Sequence, residues 1–320
     1  MKSAVYKKYG PPEVIKIAAV QQPLPQEDEI LIKVFASTVN RTDCGFRSGE
    51  PFVARFWSGL FRPRVTILGC EYAGEVMQIG RKVTSFRVGQ RVFGYNETTF
   101  GGHAEYVVVK QGAPIATIPD DTGYEEAAPI TEGAHYALCD IRASKIKRGQ
   151  SALVYGATGA IGSAAVQILK SMGVTVTAVC NTKSVELIES IGADEVLDYQ
   201  TENVTMTDKR FDLVLDAVGK CSFKRYKRLM KQHSVYISTE MGKNAENILL
   251  AIVTPFLGGK KVLFPIPSIT KEDVEYLKKL YQKGTCRPLI DRTYSLNEIV
   301  EAYRYVETGQ KIGNVVIRVR

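Results

Sequence analysis

No stretch of this 320-residue chain is apolar for long enough to cross a membrane. The longest apolar run, residues 248–257, is short and contains Pro255. There is no internal repeat and no low-complexity segment, and no signal-peptide pattern precedes the first strand-like residues, so neither secretion nor a fibrous fold is expected. Cys44, Cys70, Cys139, Cys180, Cys221 and Cys286 have no paired spacing. That excludes a disulfide scaffold and fits free thiols in a reducing cytoplasm. Acidic residues are the minority, 34 against 42 basic, which leaves a net charge of +8. The densest basic run, Lys224 to Lys231, has Phe223, Tyr226, Leu229 and Met230 interleaved at helical spacing. Its cations therefore read as the outer face of a packed helix over 223–231, not as a specific nucleic-acid surface. Their charge would mildly steer an anionic cofactor.

What is present is a strand–turn–helix signature. The apolar run Ala152 to Tyr155 ends in Gly156-Ala157-Thr158-Gly159-Ala160-Ile161-Gly162, and Ala164, Ala165, Ile168, Leu169 and Met172 continue at helical spacing. This is a dinucleotide fingerprint with Ala157 where the first glycine of G-x-G-x-x-G usually stands. Gly159 would let the backbone approach a pyrophosphate, and Gly162 would let the helix pack on the strand. The helix N-terminus offers free N–H groups to the anion. Strand patterns at 174–179, 195–199, 211–217 and 234–238 alternate with helical ones at 184–191 and 223–231. Such alternation predicts right-handed crossovers and a doubly wound parallel sheet, with the nucleotide at the strands' carboxyl ends.

An NAD-preferring site usually carries Asp or Glu about 20 residues past the glycines. Here Asn181 stands there, followed by Thr182, Lys183 and Ser184. Asn181, Thr182 and Ser184 offer hydrogen bonds and Lys183 charge to a 2′-phosphate, which favours NADP(H). Alternatively, Asn181 caps a helix and Lys183 is solvated.

The first 120 residues differ in kind. Short strand patterns at 5–6, 15–17, 30–35, 75–79, 91–93 and 105–109 are separated by Gly, Pro and Asp-rich turns, as in a small β-barrel with few helices. Beyond the nucleotide domain come a strand pattern at 262–265, amphipathic helices at 271–283 and 296–307, and a last strand at 315–319. The chain resembles a medium-chain dehydrogenase/reductase of the zinc-free quinone oxidoreductase (zeta-crystallin-like) branch. The resemblance is carried by Gly10-Pro11-Pro12-Glu13-Val14, Val39-Asn40-Arg41-Thr42-Asp43, the segment Gly69 to Val76, Val88 to Gly94, Gly101 to Tyr106, the glycine turn, Gly192-Ala193-Asp194 and Phe211 to Gly219. It implies an α/β chain: a GroES-like β-rich catalytic domain at 1–122, a Rossmann doubly wound parallel-sheet domain at 123–266, and a C-terminal return to the catalytic domain at 267–320. It also implies a homodimer paired through the strand at 262–265, with 248–257 helping to cover the interface.

Zinc-dependent relatives take a Cys and a His from the first domain and a further Cys or acid. Asn40 stands where that Cys would be and Cys70 where the His would be, while the following glutamate is kept as Glu71. The interval 94–110, where a four-cysteine structural lobe would fall, has no cysteine. Cys70, Glu71, His103, Glu132 and His135 lack metal-ligand spacing, so no metal is expected.

Without a metal, catalysis would rest on orienting a hydride donor against an electron-poor acceptor, which suits quinones and α,β-unsaturated carbonyls. The resemblance implies that Asn40 lies near the nicotinamide, that Asp43 fixes the loop after it, and that Thr131 to Tyr136 begin the helix beneath the ring. Tyr136 or His135 would supply the second proton; the alternative is that both pack beside Ala137, Leu138 and Ile141. Cofactor contacts are expected from Thr131, Gly156 to Gly162, Asn181, Lys183, Ser184, Tyr199 and Ala217-Val218-Gly219. A further one is placed at Asn314, which stands where the family's lysine would be and so loses any lysine contact. No tyrosine occurs between Cys44 and Phe52, against an enoyl-thioester reductase. The aromatics and arginines of 52–64, with the only Trp, either roof the acceptor or anchor the loop on the protein's own surface. The functional expectation is an NADPH-dependent reductase of a small electrophilic acceptor. The alternatives are a zinc-independent alcohol or aldehyde reductase and a non-catalytic NADPH-binding protein.

Overall fold

The computed structural model describes residues 1–52 and 55–320. It divides into two compact units. The first comprises Met1–Glu132, Ile269–Gln282 and Leu289–Arg320. Its backbone is the eleven-residue strand Glu29–Val39, which is apolar on both faces because both are covered: Ile30, Leu31, Ile32 and Val34 are all buried. That strand pairs antiparallel with Glu71–Ile79, Tyr106–Lys110 and Asn314–Arg318. Arg91–Tyr95, Ile115–Thr117 and Ile290–Ser295 complete a seven-stranded sheet. Ile290–Ser295 has no sequence signature because its residues are exposed or half-buried throughout, leaving no alternation to read.

One expectation for this unit is corrected. The segment after Asn40 is not a loop but the helix Arg41–Ser48, started by a reciprocal cap between Asn40 and Asp43 and ended by Gly49 at φ 69°. The unit also reaches ten residues past the boundary placed at 122. The helix Tyr124–Ala127 is fastened to the sheet by Tyr124 stacking on Phe35, ring centroids 4.4 Å apart. Glu71 fastens the backbone of Thr131 and Glu132.

The second unit is Gly133–Ser268 with Lys283–Pro288. Its six strands are all parallel, in spatial order Glu195–Asp198, Thr175–Cys180, Ser151–Tyr155, Phe211–Asp216, Met230–Ser238, Lys261–Leu263. Numbered along the chain this is the order 3-2-1-4-5-6 of a dinucleotide-binding sheet. The return of 283–288 carries no periodic signal in the sequence. It is held by Gln167, whose amide donates to the Arg287 carbonyl at 3.0 Å and accepts the Arg287 N–H at 2.9 Å. The helix expected over 223–231 is shorter: one turn at Phe223–Tyr226, a 3-10 turn at Lys227–Leu229, then strand from Met230. Its sidedness is as read, with Phe223, Tyr226, Leu229 and Met230 buried and the cations outside. Among the described residues, no helix is long and apolar enough to cross a membrane.

Candidate active site and cofactor cradle

In the first unit the candidate residues converge on three buried carboxyls, Asp43, Glu71 and Glu132. Glu71 accepts from the Thr38 hydroxyl at 2.7 Å, the Thr131 hydroxyl at 2.7 Å, and the amides of Thr131 and Glu132 at 3.1 and 2.6 Å. Burial pushes its pKa up while these donors pull it down. Asn40 is held by both ends of its side chain. Its Oδ1 accepts the Asp43 amide at 3.0 Å, which turns its Nδ2 onto Cys70 Sγ at 3.1 Å. Cys70 Sγ in turn lies 3.6 Å from Glu132 Oε2, and Glu132 Oε1 accepts the Thr42 hydroxyl at 2.7 Å. Burial, then the Glu132 charge, pushes the Cys70 thiol well up, so it stays protonated.

Asp43 is fully committed. Its carboxylate accepts the Asn40 amide at 3.2 Å and the Gly69 amide at 2.9 Å, and burial lifts its pKa to about 7. His103 lies on the same strand system. Its Nε2 meets the Thr38 carbonyl at 2.7 Å, which assigns the ring proton to that nitrogen, and burial lowers its pKa to about 4. It is a neutral structural histidine.

Lys311, which the sequence reading did not single out, is half-buried and donates to the Gly313 carbonyl. Burial holds its pKa down, and the Glu132 charge is the largest opposing influence. A signal existed: the lysine absent at Asn314 stands three residues upstream. Asn314 itself spends its amide on the Leu289 carbonyl at 2.9 Å, tying its strand to the residue before Ile290–Ser295. In the segment 52–64, Val53, Ala54 and the Trp57 side chain lie outside the described residues. Arg55 lies over the Tyr9 and Phe52 rings, 4.7 and 5.4 Å from their centroids, and donates to the Gly49 carbonyl, which fits the anchoring alternative.

The second unit brings its candidates to the carboxyl ends of four adjacent strands. After Ser151–Tyr155, a Cβ on Gly162 would stand 2.2 Å from the Gly156 carbonyl oxygen, so only glycine lets the helix Ala160–Ser171 sit this close to the turn. Gly159, at the N-cap, would meet nothing nearer than 3.5 Å, which leaves its outer side open. Val218 covers Gly156, where a Cβ would come within 2.6 Å of it, so the turn Ala217-Val218-Gly219 borders the glycine turn. Asp216, missed in the sequence, builds that second turn by accepting the amides of Val218, Lys220 and Cys221. Past Thr175–Cys180, the Asn181 Oδ1 and Ser184 Oγ are buried without a hydrogen-bond partner, and Lys183 is exposed. The strand order brings Asp198 and Tyr199 alongside: Asp198 Oδ2 accepts the Thr182 hydroxyl at 2.5 Å, and Tyr199 stacks on Tyr155. A carboxylate does stand here, then, but from the third strand and already engaged. His135 is buried and Tyr136 half-buried, their rings 4.6 Å apart, on a helix whose Ala137, Leu138 and Ile141 are buried.

Residues 26–120 match the alcohol dehydrogenase GroES-like domain family, and residues 191–317 match the zinc-binding dehydrogenase family. The chain is 30% identical over 332 residues to 2-methylene-furan-3-one reductase of Solanum lycopersicum, covering 99% of this chain and 79% of that protein. The chain belongs to the medium-chain dehydrogenase/reductase superfamily, in its quinone oxidoreductase branch. It is also 28% identical over 329 residues to the chloroplastic NADPH-dependent alkenal/one oxidoreductase of Arabidopsis thaliana, covering 99% of this chain and 79% of that one. The quinone oxidoreductase of Coxiella burnetii superposes with a TM-score of 0.89 at 25% identity, over 100% of this chain and 99% of that one. The protein is an oxidoreductase with the superfamily's GroES-like and Rossmann halves.

The family implies a dinucleotide and, in many members, zinc. The dinucleotide fits: the open N-cap glycine and the partnerless Asn181 and Ser184 oxygens form a cradle with polar atoms to satisfy. Zinc does not. Zinc is held by thiolate, imidazole or carboxylate, whereas here an amide N–H₂ is pinned against a protonated thiol.

Proposed function

We propose that this protein reduces α,β-unsaturated carbonyls and quinones with NADPH and without a metal. The observation that carries the reading is the Asn40–Cys70–Glu132 chain, which puts hydrogen-bond donors where a Lewis acid's ligands would have to be. Activated alkenes and quinones accept hydride without Lewis-acid help, and alcohol oxidation does not proceed as readily because a hydroxyl proton must also leave.

Gly159 and the first turn of Ala160–Ser171 would hold the pyrophosphate. Asn181 Nδ2, Lys183 and the Ser184 hydroxyl would donate to the 2′-phosphate, with Lys183 supplying charge and the buried Ser184 oxygen gaining a partner. Bound NADPH supplies the hydride. The residues of the chain orient and exclude: Asp43, through the Gly69 amide, locks the helix start at Asn40, and Glu71 locks Thr131 and Glu132 to the sheet. Such positioning is worth up to about 7–11 kcal/mol of barrier when alignment is good.

The test is oxidation of NADPH and of NADH, followed at the nicotinamide absorbance, with benzoquinone or an aliphatic enone and with a strong chelator present. Turnover that ignores the chelator and prefers NADPH is the expected result. Tight NADPH binding with no turnover would instead leave a binding protein, and chelator-sensitive turnover would remove the metal-free assignment.

A further inference from the structure

We propose that the loop 58–64 of the first unit docks this protein peripherally on a bilayer that carries anionic lipid, with Phe61 entering the acyl boundary and basic side chains meeting the headgroup phosphates. The inference does not depend on the reductase reading. The loop is closed on itself. The Arg64 amide donates to the Ser58 carbonyl at 2.8 Å, and Gly59 takes φ 118°, where a Cβ would stand 2.1 Å from the Arg62 carbonyl oxygen. Ser58 and Pro63 are buried at its feet, and the Ser58 hydroxyl meets the Tyr9 hydroxyl at 2.7 Å. Leu60, Phe61 and Arg62 are thereby held at the tip. Phe61 is 86% exposed, and Phe56, on the short helix before the loop, is 63% exposed. A ring held out in water by a fixed loop forgoes the burial through which aromatic side chains usually stabilise a fold.

Charge selects what covers it. Residues 51–70 contain no acid, and their three charges are Arg55, Arg62 and Arg64. Arg55 is engaged by the Tyr9 and Phe52 rings and the Gly49 carbonyl, with Glu50 at 3.7 Å. Arg62 and Arg64 are exposed and form no ion pair among the described residues. Lys7 and Lys8, also exposed, run alongside, because the Tyr6 amide donates to the Thr66 carbonyl at 3.0 Å. An aromatic apex with cations around it suits the boundary between headgroups and acyl chains. The ring enters the apolar layer, and the long basic side chains reach back to phosphate. Each such cation near an anionic surface raises partitioning about fivefold. Exposure alone does not make this pattern. Leu24 is 74% exposed, but residues 17–32 contain no Lys or Arg, and Glu27 and Asp28 lie just beyond it. Among the described residues no helix could cross the bilayer, so the contact is peripheral.

The experiment is flotation of the full chain with vesicles of phosphatidylcholine, with and without phosphatidylserine, at low and high salt. Wild type should float with the anionic vesicles, far less with the neutral ones, and be released by high salt. Phe61→Ser should weaken the partition about tenfold, and the double variant Arg62→Ser, Arg64→Ser about 20-fold. Leu24→Ser should float as wild type does. The substituted side chains are exposed, so unchanged melting curves separate lost docking from lost folding. Wild type that stays with the buffer overturns the proposal, as do loop variants that float unchanged. A wild-type dimer in light scattering that Phe61→Ser dissociates would overturn it too, by making a second copy of the chain the occupant of the tip.

Discussion

A single amide orientation decides the chemistry of the first unit. Asn40 is held by the Asp43 amide on its oxygen side, so its N–H₂ must face Cys70, and the bond that caps the helix also aims the amide at the thiol. At the proposed cofactor end, Lys183 is exposed beside the partnerless Asn181 and Ser184 oxygens. Replacing Lys183 by Ala removes charge but no packing. The Kd for NADPH should rise about tenfold, equivalent to about 1.4 kcal/mol, with NADH binding changed less than about twofold. Fluorescence titration of both nucleotides checks it, and an equal loss for both would show that Lys183 does not meet the 2′-phosphate. The absence of an acid at position 181 was legible in the sequence. The nearness of Asp198 was not, because it depends on which strand lies beside which.

At the level of elements, the glycine turn was legible in full: strand, turn and helix fall where the spacing puts them. Its two later glycines do different work. Gly162→Ala forces a Cβ to within 2.2 Å of the Gly156 oxygen and should cost about 1–3 kcal/mol of stability. Gly159→Ala meets nothing closer than 3.5 Å and has an ordinary φ of −73°. It should leave the melting temperature nearly unchanged and weaken NADPH binding by occupying the side open to the pyrophosphate. Thermal melts and nucleotide titrations of the pair separate the roles, and equal destabilisation would refute the division. The helix Arg41–Ser48 shows the converse failure. Its cap was visible as Asn40 with Asp43 three residues on and Gly49 beyond the end, but its mean composition is too polar for a periodic apolar signal. The helix at 223 stops early because Met230 is taken into a parallel strand with Phe211, and tertiary pairing overrides a run with helical spacing.

For the molecule as a whole, titration reports on the second unit. Asp140 is 3% exposed, its Oδ2 has no partner, and burial alone lifts its pKa to about 7. The folded chain thus binds a proton that the unfolded chain has already released, so stability falls as pH rises from about 4 to about 7. Asp140→Asn should flatten that part of the curve and stabilise the protein above neutrality by on the order of 1–3 kcal/mol. Denaturation across this range, wild type against variant, provides the check, and an unchanged slope would rule it out. His103 works in the opposite sense: held neutral, it costs stability as pH falls from about 6.5 towards its folded value of about 4.

The sequence by itself determined the two-part architecture, the glycine turn and the lack of metal-ligand spacing. Each depends on residues near one another along the chain, where sterics and periodicity act locally. Tertiary structure alone decided the rest. It closed the first unit at Glu132 by giving Glu71 the amides of Thr131 and Glu132. It returned 283–288 to the second unit through Gln167. It also brought Asn40, Cys70 and Glu132 into one chain of contacts. Those three stand 30 and 62 residues apart in sequence, and no local rule links them. What joins them is the cost of leaving buried polar groups unpaired, which is settled only once the sheet has brought the groups together.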